Sequence, residues 1–129
     1  MFTRRTLLIS AIAMSAFASP AVSAETKKFD MKAFQAAQAA GKPIIVEVHA
    51  DWCPVCTKQK PIAATLRTRP EFQRAEFFTV DFDTQKDALG LLKVTKQSTI
   101  ISFKGKQEIA RSTGVTDAAE IEKLWRTAL

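Results

Sequence analysis

Thiol and imidazole ligands are scarce in this chain of 129 residues: it has two cysteines and one histidine. A structural zinc site needs about four such ligands, so that class is excluded. Runs of Lys and Arg are also missing. The 19 basic and 13 acidic residues are scattered, so no stretch tracks a phosphate backbone and nucleic-acid binding is not expected. There is no internal repeat and no low-complexity segment. The one long apolar run, Leu7 to Phe17, is shorter than the ~20 residues that span a bilayer.

That run has a different reading. Arg4 and Arg5 form a positive n-region before it, Pro20 breaks it, and Val22-Ser23-Ala24 fits a small-residue cleavage site. Residues 1–24 therefore read as a signal peptide, and Thr3-Arg4-Arg5-Thr6-Leu7-Leu8 resembles a twin-arginine export signal. A buried core helix is the alternative, but no cap or polar face supports it. Residues 25–129 are then one domain, long enough for a single core. Without Arg4 and Arg5 its net charge is +4. Export, and a periplasmic location, place the two cysteines where a disulfide can form.

The cysteines themselves are three positions apart in Trp52-Cys53-Pro54-Val55-Cys56. A disulfide at this spacing closes a loop of four residues. It would stabilise by about 2 kcal/mol, against about 4.7 for a hundred-residue loop. A dithiol that opens and closes fits better than a staple. Half of a metal site is the rival.

Local patterns predict the elements around it. Asp30 caps a helix over 31–40 that Gly41 ends. Ile44 to His49, short and β-branched, reads as a central buried strand. A helix follows from Cys53 to about Arg69, with Pro54 in its first turn and a kink at Pro61. Phe77 to Phe82 is a strand and Asp83 to Lys93 a helix, with Leu89 and Leu92 inward. Thr99 to Phe103 and Gln107 to Ser112 form a hairpin about Gly105. A last helix, capped by Thr116 or Asp117, buries Ile121, Leu124 and Trp125. The order implies an α/β fold with parallel pairing, crossover helices and an antiparallel edge.

The dithiol after a buried strand, Pro61 five residues past Cys56, the Thr99 strand with its glycine turn, and Gly114 resemble the thioredoxin superfamily. The likeness covers nearly all of residues 25–129. The Ala50-Asp51-Trp52-Cys53 wording is similar to the periplasmic thioredoxin-like domain of DsbD-type reductases. The resemblance implies the thioredoxin fold, a central mixed β-sheet flanked by helices with a C-terminal β-hairpin and helix. It also implies thiol–disulfide exchange with protein disulfides and no cofactor beyond the Cys53–Cys56 pair. A membrane electron donor of DsbD type would be the partner. No dimerisation insert is present, so a monomer is expected.

Two departures from the family matter. Ser98, between Gln97 and Thr99, stands where the family has a cis-proline that shapes the substrate site. A trans bond, or a strained cis bond, is expected there. The buried acid six residues before the first cysteine is Glu47, not Asp. Loss of the proline favours the rival in which Cys53, Cys56 and His49 hold copper, or two chains share an iron–sulfur cluster.

Chemical roles follow. Cys53, at a helix N-terminus, should be an exposed thiolate that attacks a disulfide. Cys56, more buried, should resolve the mixed disulfide. Glu47, set toward the dithiol helix by the family resemblance and in an apolar setting, would be the base for Cys56; the rival is a Glu paired with a lysine at the sheet surface. His49 either tunes the thiolate or simply packs at a strand end. Trp52 should cover the site. Val55 brings no charge or hydrogen bond to the sulfur, so a reducing or intermediate potential is expected within the −270 to −120 mV of the family.

Overall fold

A computed structural model describes residues 23–129. The leader expected over 1–24 lies almost wholly outside the described residues. Ala24 is within them, and its N–H donates to the Arg67 carbonyl at 3.0 Å.

Among the described residues five strands make one sheet: β1 (Thr26–Lys28), β2 (Pro43–His49), β3 (Glu76–Asp81), β4 (Thr99–Lys104) and β5 (Gln107–Thr113), in the order β1-β3-β2-β4-β5. β3 pairs parallel with β1 and β2. β4 runs antiparallel to β2, and β5 antiparallel to β4. Among the described residues four α-helices accompany them, α1 (Met31–Ala39), α2 (Pro54–Leu66), α3 (Lys86–Leu92) and α4 (Ala118–Arg126), with a short 3-10 helix at Pro70–Phe72. This is the α/β architecture that the alternating pattern implies.

Strand alternation divides the core in two. Ile44, Val46 and Val48 pack with Phe34 of α1 and Leu89 and Leu92 of α3. Ile45, Phe77 and Ile100 face the other way, against Ala63 and Leu66 of α2 and Ile121 and Trp125 of α4. Trp125 is fully buried, with ring centroids 5.4 Å from Phe72 and 4.9 Å from Phe77. Its indole N–H has no hydrogen-bond partner among the described residues.

Two helices are shorter than their patterns suggest. α2 ends at Leu66 because Thr68 and Arg69 turn back to Thr65 and Leu66, and Arg69 must be extended before Pro70. α3 starts at Lys86 because the Asp81 carboxylate accepts the N–H groups of Asp83 and Thr84, holding a turn there. Asp30 and Asp117 cap α1 and α4 through N–H groups three residues on, at 2.8 and 2.9 Å.

Candidate active site

β2 delivers the chain to the top of the sheet, and Ala50 to Trp52 turn it into α2. Cys53 is the N-cap residue of α2, and Pro54 occupies the first turn, where no N–H is needed. The Cys53 sulfur accepts the Cys56 N–H at 3.1 Å, taking the place a Ser or Asp oxygen usually fills. Both cysteines are free thiols.

Cys53 is not the exposed residue its flanks suggest. It is 1 % exposed and Cys56 2 %, so the two are equally buried. Cys53 packs with Ala50 and Cys56, and Val55 and Phe82 close over them. The exposed members of the motif are Pro54 and Trp52, the latter 58 % open to solvent. Trp52 donates its indole N–H to both carboxylate oxygens of Asp83, at 3.2 and 3.0 Å. Its ring stands edge-on to Phe82.

Burial pushes the Cys56 thiol up to about 11. A hydrogen bond with Cys53, and any charge there, act in the same direction. The Cys56 sulfur points at the Val48 carbonyl, 3.9 Å away. That same carbonyl accepts the Ser98 N–H at 2.9 Å. Ser98 is thus packed against the dithiol, in the place the family gives to its proline. No peptide bond among the described residues is cis, so the bond before Ser98 is trans. Ser98 has a φ of 60°, in the left-handed region that a serine rarely adopts. Its hydroxyl donates to the Gln97 carbonyl, and its own carbonyl accepts from Gly114 N at 3.1 Å. Thr99 is buried, its hydroxyl bound to Lys96 O and Thr113 Oγ1.

Glu47 and His49 lie on the α2 side of the sheet. Glu47 is ion-paired with Arg67, at 3.3 Å, and its side chain is 17 % exposed. Burial raises its carboxyl to about 7, an effect that Arg67 partly offsets. A cavity of about 300 Å³ opens between α2 and the sheet, and Glu47, His49, Cys56, Lys60, Arg67 and Thr79 line it. His49 Nε2 is 3.1 Å from the exposed Asp51 carboxylate. Among the described residues no group of three or more His, Cys, Asp and Glu could hold a metal.

The structure therefore brings Cys53, Cys56, Ser98 and Val48 together, sets Glu47 and His49 along the adjoining cavity, and leaves Trp52 at the rim. Three contributors were not foreseen. Arg67 and Asp83 are distant in sequence from their partners, and no pattern marks them. Gln59 did leave a signal: it is the one polar residue in the buried stripe Cys56, Gln59, Ala63, Leu66.

The chain matches a family model described as Thioredoxin over residues 24–127. The crystal structure of Trxlp from Edwardsiella tarda is 40 % identical, with a TM-score of 0.75, and the match covers 78 % of this chain and 98 % of that one. A thioredoxin of Aspergillus fumigatus is 31 % identical over 91 residues, 70 % of this chain and 83 % of the relative. Thioredoxin-1 of Saccharomyces cerevisiae is 28 % identical over 86 residues, 67 % of this chain and 82 % of the relative. Fold, dithiol and relatives agree: the chain belongs to the thioredoxin family and is a thiol–disulfide oxidoreductase.

Proposed function

We propose that this protein is exported to the periplasm and there reduces protein disulfides. The observation that carries the dithiol chemistry is the Cys53 sulfur capping α2 with the Cys56 N–H on it. In the first step the Cys53 thiolate attacks one sulfur of a substrate disulfide. A Cys53–substrate bond forms, and the second substrate sulfur leaves as a thiolate and takes a proton. Cys56 then loses its proton and attacks the Cys53 sulfur. The Cys53–Cys56 disulfide forms and the remaining substrate thiolate departs, so two electrons have passed to the substrate.

A thiol held near 11 needs a base at neutral pH. Glu47, held near 7, lines the same cavity as Cys56, and that cavity has room for water between them. Glu47 accepts the proton by that route. Trp52 and the Ser98 turn form the surface against which the substrate chain lies. The leader-like residues 1–24 support export, and the Ala50-Asp51-Trp52-Cys53 wording supports a DsbD-type membrane donor that returns the dithiol to its reduced form. The reducing direction rests on Val55, which adds no group that would stabilise the thiolate further.

Equilibration of metal-free protein against glutathione or dithiothreitol buffers tests the reading. A two-electron couple near the thioredoxin potential, about −270 mV, is the expected result. A value near that of DsbA would reverse the direction of transfer. Failure to titrate as a two-electron couple would favour the reading in which the same cysteines hold copper or an iron–sulfur cluster.

A further inference from the structure

Gln59 lies one helical turn beyond Cys56 on the buried face of α2, and is itself 7 % exposed. Burying an amide is unfavourable unless its hydrogen bonds are made. Here they are made across the chain. Nε2 donates to Ser98 O at 3.2 Å and to Val115 O at 2.8 Å, partners 39 and 56 residues away. An amide nitrogen has two hydrogens, so both bonds form at once, and because both partners are carbonyls the nitrogen must be the atom that faces them. One side chain on the dithiol helix thus ties down the turn before β4 and the connection between β5 and α4.

The turn it holds is the strained one. Ser98 keeps a left-handed backbone that few L-residues adopt. Its N–H and the Cys56 sulfur converge on the single carbonyl of Val48. While Cys56 is a thiol it can donate to Val48 O. Once it loses its proton it needs donors instead, and the backbone groups of Ala50 first, and of Ser98, favour a charged Cys56; Ser98 brings its N–H to the same Val48 carbonyl that Cys56 faces. Without Gln59, the Gly114 N–H is the one donor left on the Ser98 carbonyl among the described residues.

We propose that Gln59 is a positioning residue whose amide holds the Ser98 N–H beside Cys56 for the resolving step. This rests on the reading of Cys56 as the resolving cysteine.

The test is stopped-flow reaction of the reduced protein with Ellman's reagent. Attack by Cys53 releases one thionitrobenzoate and leaves a Cys53 mixed disulfide. Resolution by Cys56 forms the Cys53–Cys56 bond and releases a second. In Gln59→Met, which keeps the volume but not the donors, the first phase should stay within about twofold of the parent. The second should slow by about tenfold, the effect of one lost hydrogen bond. Gln59→Asn, one methylene short of both carbonyls, should slow the same phase. Adding Ser98→Gly to Gln59→Met should recover part of the rate, because glycine takes the left-handed turn freely. A second phase of parental rate in both Gln59 variants, or equal slowing of both phases, would overturn the inference. A second phase that persists in Cys56→Ser would instead overturn the resolving role of Cys56, and this inference with it.

Discussion

The Glu47 carboxylate lies 3.3 Å from the Arg67 guanidinium, a pair formed between the central strand and the C-terminal end of the dithiol helix. Burial raises the acid and Arg67 restrains that rise, leaving it near 7. These two opposed effects leave a carboxyl that titrates in the neutral range, as the proposed base role requires. The resolving phase in the parent should therefore speed up through pH 7 as Glu47 ionises. Glu47→Gln should remove that limb and slow resolution at pH 7 by about a hundredfold. Arg67→Met should shift the limb to higher pH and keep its shape. A Glu47→Gln variant with a parental pH profile would end the assignment of Glu47 as base.

The same carboxyl should mark the stability curve. Its folded pKa, about 7, is above the ordinary value of 4.5, so the folded state binds the extra proton between those limits. Its contribution is full below pH 4.5 and is lost as pH rises through 7. The loss amounts to at most about 3 kcal/mol. Glu76 and Glu122, held below the usual carboxylate range by hydrogen bonds to Lys27 and Arg126 first of all, act in the opposite sense at acid pH. Comparison of the parent with Glu47→Gln cancels them. Urea unfolding at pH 5 and pH 8.5 should show the parent losing stability relative to the variant over that interval.

Much of this was legible in the sequence, for identifiable reasons. β2 is short, β-branched and followed directly by the cysteines, so strand, turn and helix cap could each be placed. Trp125 falls on the inner stripe of a helix with a clear polar face, and it is in the core. The burial of Cys53 was not legible. Asp51 and Pro54 beside it suggest an open loop, but Phe82, just past β3, packs against the cysteines only once the sheet has formed. The left-handed turn at Ser98 was hidden too, because it is held by Val48, Gln59 and Gly114, which come from three separate parts of the chain. Contacts between residues far apart in sequence leave no periodic trace.

Asp83 should govern how Trp52 meets a substrate. Its carboxylate accepts the indole N–H with both oxygens, while the ring itself is largely exposed. Asp83→Ala should release the ring, and raise KM for a protein disulfide by about threefold to tenfold with kcat nearly unchanged. Reaction with a small disulfide, which needs no docking surface, should change less. Equal losses on both substrates would mean that Trp52 acts on the sulfur and not on the substrate chain.

Ser98 offers the sharpest contrast with the family pattern. Restoring a proline at this position should not improve the protein. Proline fixes φ near −65°, whereas Ser98 has a φ of 60°, and proline also lacks the N–H that Ser98 gives to Val48 O. Ser98→Pro should lower the unfolding free energy by about 3 kcal/mol, read as a shift of the urea midpoint at constant slope. Ser98→Gly should be close to neutral. It relieves about 1 kcal/mol of backbone strain but costs a similar amount in the entropy of the unfolded chain. If Ser98→Pro matched the parent in stability, this backbone would have to reach the family's geometry at little cost, and the hydrogen bonds from Gln59 and Gly114 would not be what fixes the turn.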